Sequence, residues 1–221
     1  MVIEILAIAS ALVGATVYIT NRIHRWRDLK RRAQERQEYI SSLYDLGVEY
    51  SPESCDALLI DRCKSLVKKE FPDGIENELM SLSLEARVQV VSDFATKLSQ
   101  VMEISIEELV FFTPQTEDEL RLRGCFYKGE KKVYINLAYL NADEPELLCG
   151  VIRTVLHEFK HVRQYEACCG KDYGYTPQLI ALWIYNMTPP NYISCEESDE
   201  AYCKQPVELD TFGFSSSIIN W

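Results

Sequence analysis

The sequence contains no Cys-x-x-Cys pair, no internal repeat and no low-complexity stretch, and it has only three histidines among 221 residues. The first absence removes the ligand spacing of zinc fingers, and the second removes repeat architectures. Histidine scarcity bounds metal chemistry more tightly. His24 sits in a basic flank, so the rest of the chain offers two imidazoles, and any third protein ligand must be a carboxylate or a cysteine. Positive charge is also scarce over most of the chain. The net charge is −11; residues 1–20 hold one charged side chain, Glu4, and residues 21–37 are net +5, which leaves −15 for residues 38–221. A body this acidic repels phosphate backbones, so nucleic acid is not an expected partner. With 47% hydrophobic, 26% charged and 11% aromatic residues, the composition is that of one folded domain and excludes a disordered chain.

The charge-free amino end is informative. Residues 5–21, ILAIASALVGATVYITN, form a run of 17. As a helix that run is about 26 Å long, against a bilayer hydrocarbon core of about 30 Å. A cleaved signal peptide has basic residues before the apolar run, whereas here Glu4 precedes it and Arg22, Arg25 and Arg27 follow. The expectation is therefore a retained transmembrane anchor over residues 1–21, with a signal peptide or a soluble helix as alternatives. A basic juxtamembrane helix over residues 22–37 would lie along anionic lipid, with Trp26 at the headgroups. Basic flanks stay inside, which predicts a single-pass cell-membrane protein with its amino end outside and residues 38–221 in the cytoplasm.

Eight cysteines (Cys55, Cys63, Cys125, Cys149, Cys168, Cys169, Cys195, Cys203) are many for that compartment and would suit a disulfide framework in an exported chain. Without metal-binding spacing, most read as buried reduced thiols. Asn186-Met-Thr188 is a formal glycosylation sequon, relevant only to a lumenal body.

Along the body, residues 54–70 place Leu58, Leu59, Cys63, Leu66 and Val67 on one helical face before the turn Pro72-Asp-Gly74. A second amphipathic helix is expected over 84–102, with Val88, Val91, Phe94, Ala95 and Leu98 inward. Residues 109–112 read as a buried strand, and 124–127 with 132–137 as a hairpin around a Gly-containing turn, with Val133, Ile135 and Leu137 on one face. Asp143 or Glu144 as cap and Pro145 in the first turn then start a long helix that can run to Gly170. The fold class expected is α+β, mainly helical, with a small sheet beside that helix.

The helix contains His157-Glu158-Phe159-Lys160-His161. Two imidazoles four residues apart share one helical face, where they can grip a zinc ion while Glu158 approaches its bound water. Zinc lowers the pKa of that water and polarises a scissile carbonyl; a neighbouring carboxylate takes the proton and later delivers it to the leaving amine. The surrounding Leu148, Val151, Ile152, Val155, Leu156, Phe159 and Val162 are apolar, so histidines there would otherwise be costly polar groups beside a core. For the third ligand Glu208 is preferred, with Glu197, Glu200, Asp210 and Cys203 as competitors. Ser194-Cys-Glu-Glu197 reads as a capping box opening a helix ahead of it.

The order helix, strand, hairpin, HExxH helix and carboxyl-terminal Glu helix resembles the minimal gluzincin core, and within it the ImmA/IrrE type of zinc metallopeptidase. The residues that carry the likeness are the HExxH motif and Glu208-Leu-Asp-Thr-Phe-Gly-Phe-Ser215, across about residues 80–215. The anchor and residues 38–79 fall outside it, and Thr211 stands where that family usually has alanine. The resemblance implies that His157, His161 and Glu208 bind Zn2+, that Glu158 is the general base, and that regulatory proteins are the substrates. In zincins the strand before the active helix is an edge strand that pairs with extended peptide, and residues 132–137 resemble it. Tyr134, Tyr165, Tyr173 or Tyr175 is a candidate for oxyanion assistance. The function expected is a membrane-anchored zinc metalloendopeptidase acting on a protein or peptide. The alternatives are a zincin-shaped metal-binding regulatory module without proteolysis and a cysteine-rich exported structural domain.

Overall fold

The computed structural model describes residues 24, 25, 27, 28, 31, 32, 34, 35, 38 and 54–219. The expected anchor over residues 1–21 lies outside them. The chain divides into two compact units, Met1–Gly47 and Val48–Trp221. In the first, every described residue is helical. Asp28 pairs there with Arg31 and Arg32 at 2.6 and 3.0 Å, and Arg31 with Glu35 at 3.2 Å, the i,i+3 and i,i+4 contacts of an exposed charged helix. Among the described residues no helix is long and apolar enough to cross a membrane.

The second unit is α+β and mainly helical. Its elements are α1 (Ser54–Glu70), α2 (Ile75–Met80), α3 (Leu84–Met102), β1 (Glu108–Phe112), α4 (Glu117–Arg121), β2 (Gly124–Tyr127), β3 (Lys132–Asn136), α5 (Leu137–Leu140), α6 (Pro145–Cys168), α7 (Pro177–Met187), α8 (Asp199–Lys204) and α9 (Pro206–Ile218). The periodicity of 54–70 and 84–102 is realised as α1 and α3. Leu58 is a correction: at 71% exposure it lies outside the apolar face that Leu59, Cys63 and Leu66 bury.

The sheet has three strands in the order β1-β3-β2, with β1 parallel and β2 antiparallel to β3. β3 is therefore the central strand, and the expectation that residues 132–137 form the edge that receives substrate is corrected. Both edges of β3 are used by β1 and β2, and Leu137 already begins α5. Val133 and Ile135 are fully buried, as alternation requires.

Helix α6 is the axis of the unit and packs against α2, α3, α5, α7, α9, β2 and β3. Pro145 occupies its first turn. It ends in a Schellman arrangement: Gly170 N–H donates to Ala167 O and Lys171 N–H to Glu166 O, with Gly170 at φ 99°. Helix α7 has no counterpart in the sequence reading, although Thr176 caps the Leu179 amide and Pro177 follows it. The box at Ser194 forms in part, with Ser194 N–H donating to Glu197 at 2.9 Å, but it closes a turn. The next helix starts at Ser198, which caps the Ala201 amide.

Candidate metal centre

Helix α6 supplies His157, Glu158 and His161, and the first turn of α9 brings Glu208 against them. The Nε2 atoms of the two histidines are 3.2 Å apart, and Glu208 Oε2 lies 3.3 Å from each. Among the described residues these three side chains are the group able to hold a metal ion. Of the competing ligands, Glu200 pairs with Lys204, Glu197 turns back to Ser194, Cys203 is exposed and Asp210 reaches the next turn of α6. His24 is exposed in the basic segment.

Three donors in a near-equilateral triangle make a specific shape. A tetrahedral ion at roughly 2.0–2.1 Å from each ligand holds its ligands about 3.3–3.4 Å apart, which these edges match. Glu208 Oε2 is buried and makes no hydrogen bond, the state of an acceptor whose partner is a cation. Two imidazoles and one carboxylate form a donor set for zinc or a similar transition ion and do not suit Ca2+ or Mg2+, which take oxygen ligands.

Each ligand is held from behind. The Tyr192 hydroxyl donates to Glu208 Oε1 at 2.9 Å. Gln164 Oε1 is 2.9 Å from His161 Nδ1. Because the Gln164 amide nitrogen donates to Val207 O and to Asp210 Oδ2, at 3.0 and 2.7 Å, its oxygen must face the imidazole, which puts the proton on Nδ1 and leaves Nε2 free to coordinate. The Phe212 ring packs against His157 with centroids 4.6 Å apart. Thr211 donates to Val207 O at 2.7 Å, a helical back-bond that accommodates its hydroxyl.

Without an ion, burial and mutual charge set the titrations. Burial raises the Glu158 carboxyl above its ordinary range against the pull of the two imidazoles, and the Phe126 backbone amide bonds to it. Burial works against charged His161, but the Glu208 carboxylate prevails and raises the imidazole to about 9. At Glu208 burial opposes ionisation and the imidazoles overcome it, holding the carboxyl well below the usual range.

No protein-family model, curated protein or solved structure matches the chain.

Of the tyrosines named for the oxyanion, Tyr134 is half-buried on β3, and Tyr173 and Tyr175 are engaged in other hydrogen bonds. Tyr173 bonds to Glu166, Tyr175 lies among Asp56, Lys160 and Arg163, and Tyr165 packs on Phe126. The tyrosines at the site are Tyr192 and Tyr202, whose rings pack with centroids 6.4 Å apart; burial and then Glu208 push both phenols up. Pro189-Pro190 before Tyr192 gave no signal of that placement. The sequon is excluded as a glycan acceptor, since Asn186 is buried and its amide bonds to Gln205 and Val207. No disulfide links the seven described cysteines, and the expectation that most are buried is corrected. Cys63 is buried, Cys125, Cys149 and Cys168 are half-buried, and Cys169, Cys195 and Cys203 are exposed.

Proposed function

We propose that this chain is a zinc-dependent metalloendopeptidase of the minimal gluzincin, ImmA/IrrE-like kind, tethered to the cell membrane by residues 1–21 with its catalytic body in the cytoplasm. The observation that carries the reading is the triangle of His157, His161 and Glu208 donors, with edges of 3.2, 3.3 and 3.3 Å, next to the buried Glu158.

Zinc, when bound, supplies a Lewis acid that polarises a peptide carbonyl and acidifies water. The chain supplies the remaining work. Glu158 takes the proton of the attacking water on its carboxylate and returns it to the leaving amine; burial raises its pKa, which makes the carboxylate a stronger base for the first transfer. Gln164 and Tyr192 orient two of the ligands. β2 is an edge strand in contact with α6 and Phe126 is on it, so extended substrate pairs along β2 in this reading, a role displaced from β3 by one strand.

Glu158→Gln keeps the shape and removes the base. The full-length variant is expected to contain zinc at the wild-type ratio by elemental analysis while cleavage falls about 10²- to 10⁴-fold. Comparison of the membrane-associated proteome with wild type and variant identifies the substrate. Wild-type chain without stoichiometric zinc defeats the proposal. Full zinc content with identical cleavage products in both strains indicates a metal-holding regulatory module in place of a peptidase.

A further inference from the structure

Lys160, between Glu158 and the second histidine, is fully buried, and so is Asp56 on α1. Their charges are 2.6 Å apart. The Lys160 Nζ also lies 3.2 Å from Asp210 Oδ2, the oxygen that accepts from Gln164 at 2.7 Å, and Gln164 in turn meets His161 Nδ1 at 2.9 Å. Asp56 is equally fixed: its Oδ1 accepts from the Tyr175 hydroxyl at 2.8 Å, and that hydroxyl accepts from Lys160 and from Arg163 Nε, each at 3.0 Å. The rings of Tyr175, Trp183 and Phe214 lie 4.8, 5.5 and 5.2 Å from the ammonium. An unbroken line of contacts therefore runs from α1 to an imidazole of the metal centre, although α1 is outside residues 80–215, which carry the zincin likeness.

We propose that Asp56 is a positioning residue for the metal centre, acting through Lys160, Asp210 and Gln164 to hold His161 in its coordinating tautomer and orientation. The inference rests on the metal-centre reading and adds α1 to it. Each link has a reason. Two buried charges are costly unless paired, and Lys160 is paired twice. The Lys160 ammonium, 3.2 Å from Asp210 Oδ2, fixes that oxygen against Gln164; the oxygen takes the amide N–H2 and so turns the amide oxygen to His161. Asp56 anchors the ammonium from the other side. Without it Lys160 has one carboxylate partner and is free to follow Asp210 out of register.

Asp56→Leu with Lys160→Met, in the full chain purified in detergent, removes the Asp56–Lys160 pair as a unit, and Asp210 keeps its hydrogen bond from Gln164. Removing the partner of a ligating imidazole weakens metal binding by about 10- to 100-fold, and a loss in that range is expected by chelator competition with zinc. The metal-free chain is expected to melt within a few degrees of wild type. Loading with Co2+ reads the ligand geometry directly, and a changed visible ligand-field band is expected. Wild-type affinity and an unchanged cobalt spectrum in the double variant overturn the proposal, whatever happens to the melting temperature, because a purely structural ion pair changes only the melting. If the double variant does not fold, Asp56→Asn keeps the side-chain shape and an acceptor oxygen while removing the charge. It is expected to lose affinity severalfold with the same spectral change, and wild-type values there are equally decisive. A wild-type chain that takes up no zinc fails the metal-centre reading and this inference with it, whereas zinc bound equally by wild type and variant fails the inference alone.

Discussion

At Glu208 the two carboxylate oxygens have different partners, and that division sets what each substitution does. Oε2 faces the imidazoles and Oε1 accepts from Tyr192. Glu208→Ala removes the anionic ligand itself and is expected to cost more than 100-fold in zinc affinity, beyond the roughly 10- to 100-fold typical of supporting residues. Asp210→Ala is expected to stay within that supporting range, because Asp210 reaches His161 only through Gln164. Chelator competition checks both, and a larger loss for Asp210→Ala would mean that the wrong carboxylate has been assigned. The metal-free site also has a pH signature. His161 has its folded pKa raised to about 9, so its contribution to stability is complete below about 6.5 and disappears as pH rises through 9. Glu208 is shifted the other way, so its contribution is present above its ordinary value near 4.5 and disappears as pH falls through the depressed folded value. Thermal melts of chelator-treated chain are therefore expected to show the pair at full strength between roughly pH 4.5 and 6.5 and a decline toward pH 10, a decline absent from His161→Gln. A flat profile in both would remove the Glu208–His161 pair from the metal-free state.

Elements differ in how far local pattern specifies them. α1 and α3 were legible because their apolar spacing and the Pro72-Asp-Gly74 turn act within the segment itself, and α6 because Pro145 and Gly170 bracket it. The central place of β3 was not legible, since it depends on parallel pairing with β1, residues distant in sequence, and alternation alone reads the same in an edge strand. The HExxH pair follows from helical geometry, and so does Gln164, which meets His161 from three residues further along the same helix, whereas Tyr192 reaches the site through tertiary packing that no spacing encodes. Helix α7 was hidden because its residues are apolar on the exposed side too: Leu182, Ile184 and Tyr185 lie outside, so no polar face marks a period. Close packing of β2 on α6 gives a prediction at this scale. A Cβ at Gly124 would meet Thr154 Cγ2 at 2.7 Å and the Tyr134 carbonyl at 2.8 Å, and the second contact is backbone. Gly124→Ala is expected to destabilise the chain by about 1–3 kcal/mol in denaturant titration, as overpacking does, and to lower activity further by moving the Phe126 amide away from Glu158. Unchanged stability would show that β2 can shift away from α6 at no cost.

For the molecule as a whole, the unequal distribution of charge is the argument for the membrane. Residues 21–37 carry seven basic side chains next to a 17-residue run without charge, while residues 38–221 are net −15. Anionic lipid attracts the first and repels the last, so the basic segment is expected at the headgroups and the acidic body away from them. Removing residues 1–21 is accordingly expected to release the body from membranes that retain the full chain through an alkaline wash. Orientation has its own reporters in the exposed thiols of Cys169, Cys195 and Cys203. With the body in the cytoplasm, a membrane-impermeant maleimide is expected to leave them unlabelled in intact cells and to label them once the membrane is opened. Labelling in intact cells would reverse the topology and place the thiols in an oxidising space, where exposed cysteines do not persist as thiols unless kept apart. The two measurements are independent, since an anchored chain can face either way. Retention without external labelling is the combination that the basic flank predicts.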